Sequence, residues 1–105
     1  MKEFKFFYSD EKNKKLIQER GIGFEDVIQA AISGNILKFD NHHNLIKYPN
    51  QKLMFVRITD QVYVVPFVEQ SQNCLYLKTI FPSRKAKKRF LSSKKEIVKS
   101  EEVDV

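Results

Sequence analysis

The chain of 105 residues has the length of one ordinary domain, 42% of it is apolar, and 19 basic against 13 acidic residues leave a formal charge of +6. No apolar run approaches the ~20 residues of a membrane-spanning helix. The single cysteine, Cys74, excludes a disulfide framework or a cysteine-built zinc site within one chain. Met1-Lys2-Glu3-Phe4-Lys5 is followed by no signal-type apolar stretch, so a cytoplasmic protein with no membrane partner is expected.

Residues 3–8, rich in phenylalanine, read as a short strand. Ser9 is placed to cap a helix over 10–20, with Asp10 and Glu11 in its positive first turn and Gly21 as its stop. Phe24, Val27, Ile28 and Ala31 recur at i, i+3, i+4 and i+7, one apolar face of a second helix that Gly34 ends. The period then becomes extended. Residues 36–39 form a strand, Asn41-His42-His43-Asn44 is turn chemistry, and 53–59, 62–68 and 75–81 are three further strands. Their connections, 60–61 and 69–73, are of hairpin length, which implies an antiparallel meander. Pro66 has no N–H for a ladder and requires a bulge or an edge.

Pro82-Ser83 closes the sheet and opens a basic helix. The expected order is β-α-α-β-β-β-β-α. This is an α+β fold: an antiparallel sheet of four to five strands, two N-terminal helices on one face and a basic C-terminal helix. Residues 1–95 form the single domain. Residues 96–105, four acids against Lys99, form an acidic tail, the end of the last helix, or a cover over the basic patch.

The charge is concentrated. Between positions 82 and 95 stand Arg84, Lys85, Lys87, Lys88, Arg89, Lys94 and Lys95 with no acid, and the remaining 12 basic and 13 acidic residues almost cancel. Such a cluster is the footprint of a polyanion or an acidic protein partner, or else a solvated helix face. Strand alternation adds a second cationic group. Met54, Val56 and Ile58 share one face, and Leu53, Phe55 and Arg57 the other; Leu75, Leu77, Thr79 and Phe81 alternate with Cys74, Tyr76, Lys78 and Ile80. The two apolar sets suit a helix-packed core. Arg57, Tyr76 and Lys78, with Phe55, are then expected on a cationic, aromatic-lined surface opposite the helices, although a solvated face of snorkelling side chains has the same pattern.

Ser83-Arg84-Lys85 puts two cations in the first turn of a helix, where its dipole disfavours them. A phosphate bound to the free N–H groups and to Arg84 would reverse that penalty; the alternative is a helix that tolerates roughly a few tenths of a kcal/mol of bad placement. His42 and His43 are adjacent in a polar turn and point apart, so no metal site is expected from them. One of the two could serve as a general acid or base if the turn borders the cationic face; an exposed turn histidine without a role is the other reading, and the one the pattern favours. No Gly-rich phosphate loop, GxSxG, HExxH or EF-hand pattern is present, and no cofactor is expected. A basic fold without either needs little else to act on RNA, which carries its own nucleophile in the 2′-hydroxyl. Arg57, Lys78 and Arg84 are the candidate charge stabilisers, and His43 or Tyr76 assists proton transfer. Tyr76, Lys85, Lys88 and Arg89 are the candidate RNA contacts. Plain nucleic-acid binding would use the same residues.

Three stretches resemble one family: Tyr8-Ser9-Asp10-Glu11-Lys12, then Arg20-Gly21-Ile22-Gly23-Phe24-Glu25-Asp26-Val27, then Lys78-Thr79-Ile80-Phe81-Pro82-Ser83-Arg84-Lys85-Ala86. In order and spacing, over most of residues 3–92, they are similar to BrnT-type toxins of type II toxin–antitoxin systems, within the RelE-like ribonuclease fold. The family's basic-His-Gly before the second helix reads Glu19-Arg20-Gly21 here, and Phe90 stands where an acid is often found in the final helix. The resemblance implies a RelE-like fold and a metal-independent endoribonuclease that inhibits translation. It also implies a cognate, DNA-binding antitoxin through which oligomers form. Arg84 and Ala86 match the closing motif, and Gly21, Phe24 and Glu25 the entry to the second helix. A non-catalytic basic module that binds nucleic acid or an acidic antitoxin segment is the alternative.

Overall fold

Caps and one close helix contact set the N-terminal half. The structure, a computed structural model, describes residues 3–42 and 44–92. After β1 (Lys5–Phe7), Ser9 caps α1 (Asp10–Arg20): its Oγ accepts the Lys12 N–H at 3.2 Å. Gly21, at φ 70°, ends that helix in the left-handed region with its N–H on the Ile17 carbonyl. α2 (Phe24–Ile32) begins almost at once. The Gly23 N–H donates to the Asp26 carboxylate at 2.9 Å, and the Phe24 N–H reaches back to Asn13 Oδ1 at 2.7 Å. A Cβ on Gly23 would lie 2.7 Å from Asn13 Oδ1 and 2.8 Å from the Ile17 side chain, so any larger residue there would force those side chains to shift, Asn13 off the Phe24 N–H that it holds. Tyr8 stacks on Phe24 with centroids 5.0 Å apart and donates to Glu25 Oε2 at 2.9 Å, a bond that raises its phenol above the ordinary value. Gly21, Phe24 and Glu25 thus shape the helix junction.

β2 (Ile36–Asn41), β3 (Gln51–Ile58), β4 (Gln61–Ser71), β5 (Cys74–Leu77) and β6 (Phe81–Pro82) follow, then α3 (Arg84–Lys87), which runs on as one π-helical turn, Lys88–Ser92. The expected α+β class and its two N-terminal helices are present. The described sheet, however, has six strands, in the order β1-β5-β4-β3-β2 with β6 also on β4, and it is mixed. β2 to β6 pair antiparallel, whereas β1 lies parallel to β5, Lys5 opposite Cys74 and Phe6 opposite Leu75. Hairpin-length links report only on strands adjacent in sequence, and β1 meets its partner across most of the chain.

Pro66 sits in the central strand β4, opposite Leu53. Its carbonyl accepts the Lys78 N–H at 2.8 Å, so the edge of β4 that lacks a donor faces the break between β5 and β6. There Leu77 opposite Phe67 is followed by Phe81 opposite Val64, so three residues face two: a one-residue bulge. That slip exchanges the faces beyond it. Ile80, rather than Thr79, joins Leu75 and Leu77 in the core at 0% exposure, and Phe81 turns to the opposite face, 38% exposed.

α1 and α2 cover the first face, where Leu16, Phe24 and Val27 pack against Met54, Val56 and Val65. Burial of each such side chain is worth roughly 1.5–3 kcal/mol. The second face departs from the expectation of an open cationic surface. Leu53, Phe55, Val62 and Val64 are buried there under Ala86, Phe90 and Leu91, an apolar stripe inside the basic segment, and the Phe55 and Phe90 rings lie 5.6 Å apart. Helices therefore flank both faces. The expected acidic tail at 96–105, the end of the domain at 95 and His43 lie outside the described residues.

Candidate nucleic-acid interface

The segment expected to be a basic helix begins with a firm cap. The Ser83 N–H donates to the Val62 carbonyl at 3.0 Å, and Ser83 Oγ accepts the Ala86 N–H at 3.1 Å. α3 is a single turn, so few peptide dipoles add, and one of its first donors is already taken. Attraction for a phosphate here rests on side-chain charge rather than on the helix end. Lys85 and Arg89, four residues apart, share one side of this segment and line a groove of about 490 Å³. Arg84 and Lys88, also four apart, are exposed and are not among the groove's lining residues.

The groove has an apolar floor of Leu53, Phe55, Val64 and Ala86, a wall formed by Phe81, and a polar rim of His42, Ser83, Lys85 and Arg89. Among the described residues no carboxylate lines it. Beside it, Lys38 and Asp40 stand on β2 opposite Phe55 and Leu53. Asp40 accepts the Asn41 N–H at 2.9 Å, which holds its carboxyl below the ordinary value; Lys38, at 3.6 Å, and Arg89 add to the effect. His42 Nδ1 accepts the Asn44 N–H at 3.0 Å, and its ring lies 4.5 Å from that of Tyr48.

The other expected residues fall elsewhere. Arg57 is exposed; its Nε donates to the Thr59 carbonyl at 2.9 Å. It stands opposite Val62, whose carbonyl receives Ser83, so one strand separates it from the α3 cap. Tyr76 and Lys78 form their own pair on the β5 side of the bulge, the ammonium 5.3 Å from the ring centroid. Phe55, at 7% exposure, is floor rather than open surface. His42 is the residue that sequence reasoning passed over for its neighbour. Its signal was the alternation Lys38, Asp40, His42, visible once β2 is extended beyond residue 39. Among the described residues no group of His, Cys, Asp and Glu is placed to hold a metal, and no helix is long and apolar enough to cross a membrane.

No protein-family model matches the sequence, and comparison with curated proteins finds no significant match. Comparison with solved structures does. The Brucella abortus ribonuclease toxin BrnT superposes with a TM-score of 0.53 at 12% sequence identity, over 77% of this chain and 97% of the toxin. The α+β arrangement of this chain, with its mixed sheet, is similar to the BrnT fold.

Proposed function

We propose that this chain is the toxin of a type II toxin–antitoxin pair and a metal-independent endoribonuclease that inhibits translation in the cytoplasm. The observation that carries this reading is the groove on a BrnT-like fold: lined by no carboxylate among the described residues, rimmed by Lys85, Arg89 and His42, and beside the exposed Arg84 and Lys88. In the proposed reaction the 2′-hydroxyl gives up its proton to water as its oxygen attacks the adjacent phosphorus, the P–O5′ bond breaks, and a 2′,3′-cyclic phosphate and a 5′-hydroxyl result. Lys85 and Arg89 stabilise the extra negative charge of the phosphorane. His42, or His43 beside it, moves a proton to the leaving oxygen. Arg57, Lys78, Tyr76 and Arg84 hold flanking backbone. A DNA-binding antitoxin neutralises the protein by covering these cations and sets the oligomeric state of the pair.

The test is incubation of the purified protein with RNA in excess EDTA, beside induced expression in cells. Wild type should leave cyclic-phosphate ends and arrest growth, and the Lys85→Ala, Arg89→Ala double variant should cleave at least about a hundredfold more slowly. RNA intact at high protein concentration, with normal growth and abundant wild-type protein, would replace the nuclease by a basic module that only binds.

A further inference from the structure

We propose that the groove between β3, β6 and α3 holds one unpaired nucleobase against Phe81, with the neighbouring phosphates on Lys85 and Arg89, so that the chain selects single-stranded RNA; this rests on the RNA-directed reading above. Charge separates this groove from others of similar size. One between β1 and α2, of about 630 Å³, includes both Glu3 and Lys5, and one of about 400 Å³ at the start of β3 contains Glu69, which is paired with Lys52 at 3.7 Å. Among the described residues, the groove beside α3 offers cations without an acid.

Its interior says more. A phosphate alone has no use for an apolar floor of Leu53, Phe55 and Val64, whereas a nucleotide joins an apolar planar face to an anion and uses both halves. Phe81 is a large ring left 38% exposed in the groove wall, turned there by the β5–β6 bulge. Aromatic rings that carry bases in this way are tolerant of base identity. A duplex hides its bases from such a wall, so strandedness is what the groove reads.

The experiment measures fluorescence anisotropy with short 2′-O-methyl oligonucleotides, which lack the attacking hydroxyl and stay intact. The probes are a single strand, its duplex, and an abasic strand of equal charge. The single strand should bind at least about tenfold tighter than the other two. Phe81→Ala should remove that advantage while leaving the salt dependence unchanged, and Phe81→Tyr should restore it. Lys85→Ala should weaken binding of all three probes and lower the salt slope by about one. Equal affinity for duplex and single strand, or for the abasic strand, overturns the proposal, as does wild-type affinity in Phe81→Ala. A poly-glutamate peptide that displaces the oligonucleotide and itself depends on Phe81 also overturns it, by assigning the groove to an acidic protein segment. Absence of cleavage of ordinary RNA bears on the nuclease reading alone, because none of these probes can be cut.

Discussion

The two faces of the sheet are built from the same strands and do opposite work. Under α1 and α2, alternate residues of β3, β4 and β5 meet Leu16, Phe24 and Val27 in a continuous apolar layer. Under α3, the other set, Leu53, Phe55, Val62 and Val64, meets a short segment whose apolar stripe of Ala86, Phe90 and Leu91 is edged with cations. The first layer carries stability. The second is covered only in part, and the uncovered part is the groove. A small domain thus separates folding from binding by face rather than by residue class.

That contrast is broken most severely at Phe24. Phe24→Ala should lose about 3–5 kcal/mol of unfolding free energy, whereas Phe81→Ala, in the groove wall, should lose less than about 1 kcal/mol. Equal shifts of the urea midpoint would mean that both faces are structural. Next, Gly23→Ala forces a Cβ into Asn13 and Ile17, and a destabilisation of about 1–3 kcal/mol should appear in thermal or denaturant unfolding, with RNA affinity retained on the folded fraction. On the other face, Ser83→Ala removes the cap of α3 and should cost about 1 kcal/mol. It should also weaken RNA binding, since Lys85 stands in that turn; unchanged affinity would detach the groove from the cap.

The smallest effect concerns Asp40, whose charge opposes RNA beside Arg89. Asp40→Asn should raise affinity about twofold at low salt and have no effect at high salt. The pH dependence has a definite sign. The carboxyl of Asp40 is held below its ordinary 3.8, so its attractions to the Asn41 N–H and Lys38 are fully present above that pH and are lost as pH falls through the lowered value. The difference in RNA affinity between Asp40→Asn and wild type should shrink over the same descent. A difference that persisted at the acid end would remove Asp40 from the groove's electrostatics.

Local chemistry made the helices legible. Ser9, Gly21 and the i, i+3, i+4, i+7 spacing from Phe24 fixed α1 and the start of α2, because caps and periodicity act within one or two turns. The hairpin between β3 and β4 followed equally from its two-residue link. What escaped was set by partners far away. The parallel direction of β1 depends on β5, and the fate of Pro66 depends on a bulge in the strand beside it. That bulge also broke the alternation written for residues 75–81, moving Ile80 inward and Phe81 outward. At the site, the basic segment announced Lys85 and Arg89, but only its docking on Phe55 shows that they, rather than Arg84, line the groove. His42 stands one residue past β2, which runs on to Asn41 rather than ending at Phe39.

The parallel pairing of β1 with β5 also has a kinetic side. Residue 5 must wait for residue 74 before its strand has a partner, and closing so long a loop precedes any reward from the contact. Until then the aromatic rings of Phe4, Phe6 and Tyr8 have no sheet to pack on, and Phe24 lacks part of its cover. The groove-forming residues, 81–89, come later still in the chain. During synthesis the segment that gathers the cations is therefore made after the scaffold it docks on, and the surface proposed to take RNA is the last part of the described fold to be completed.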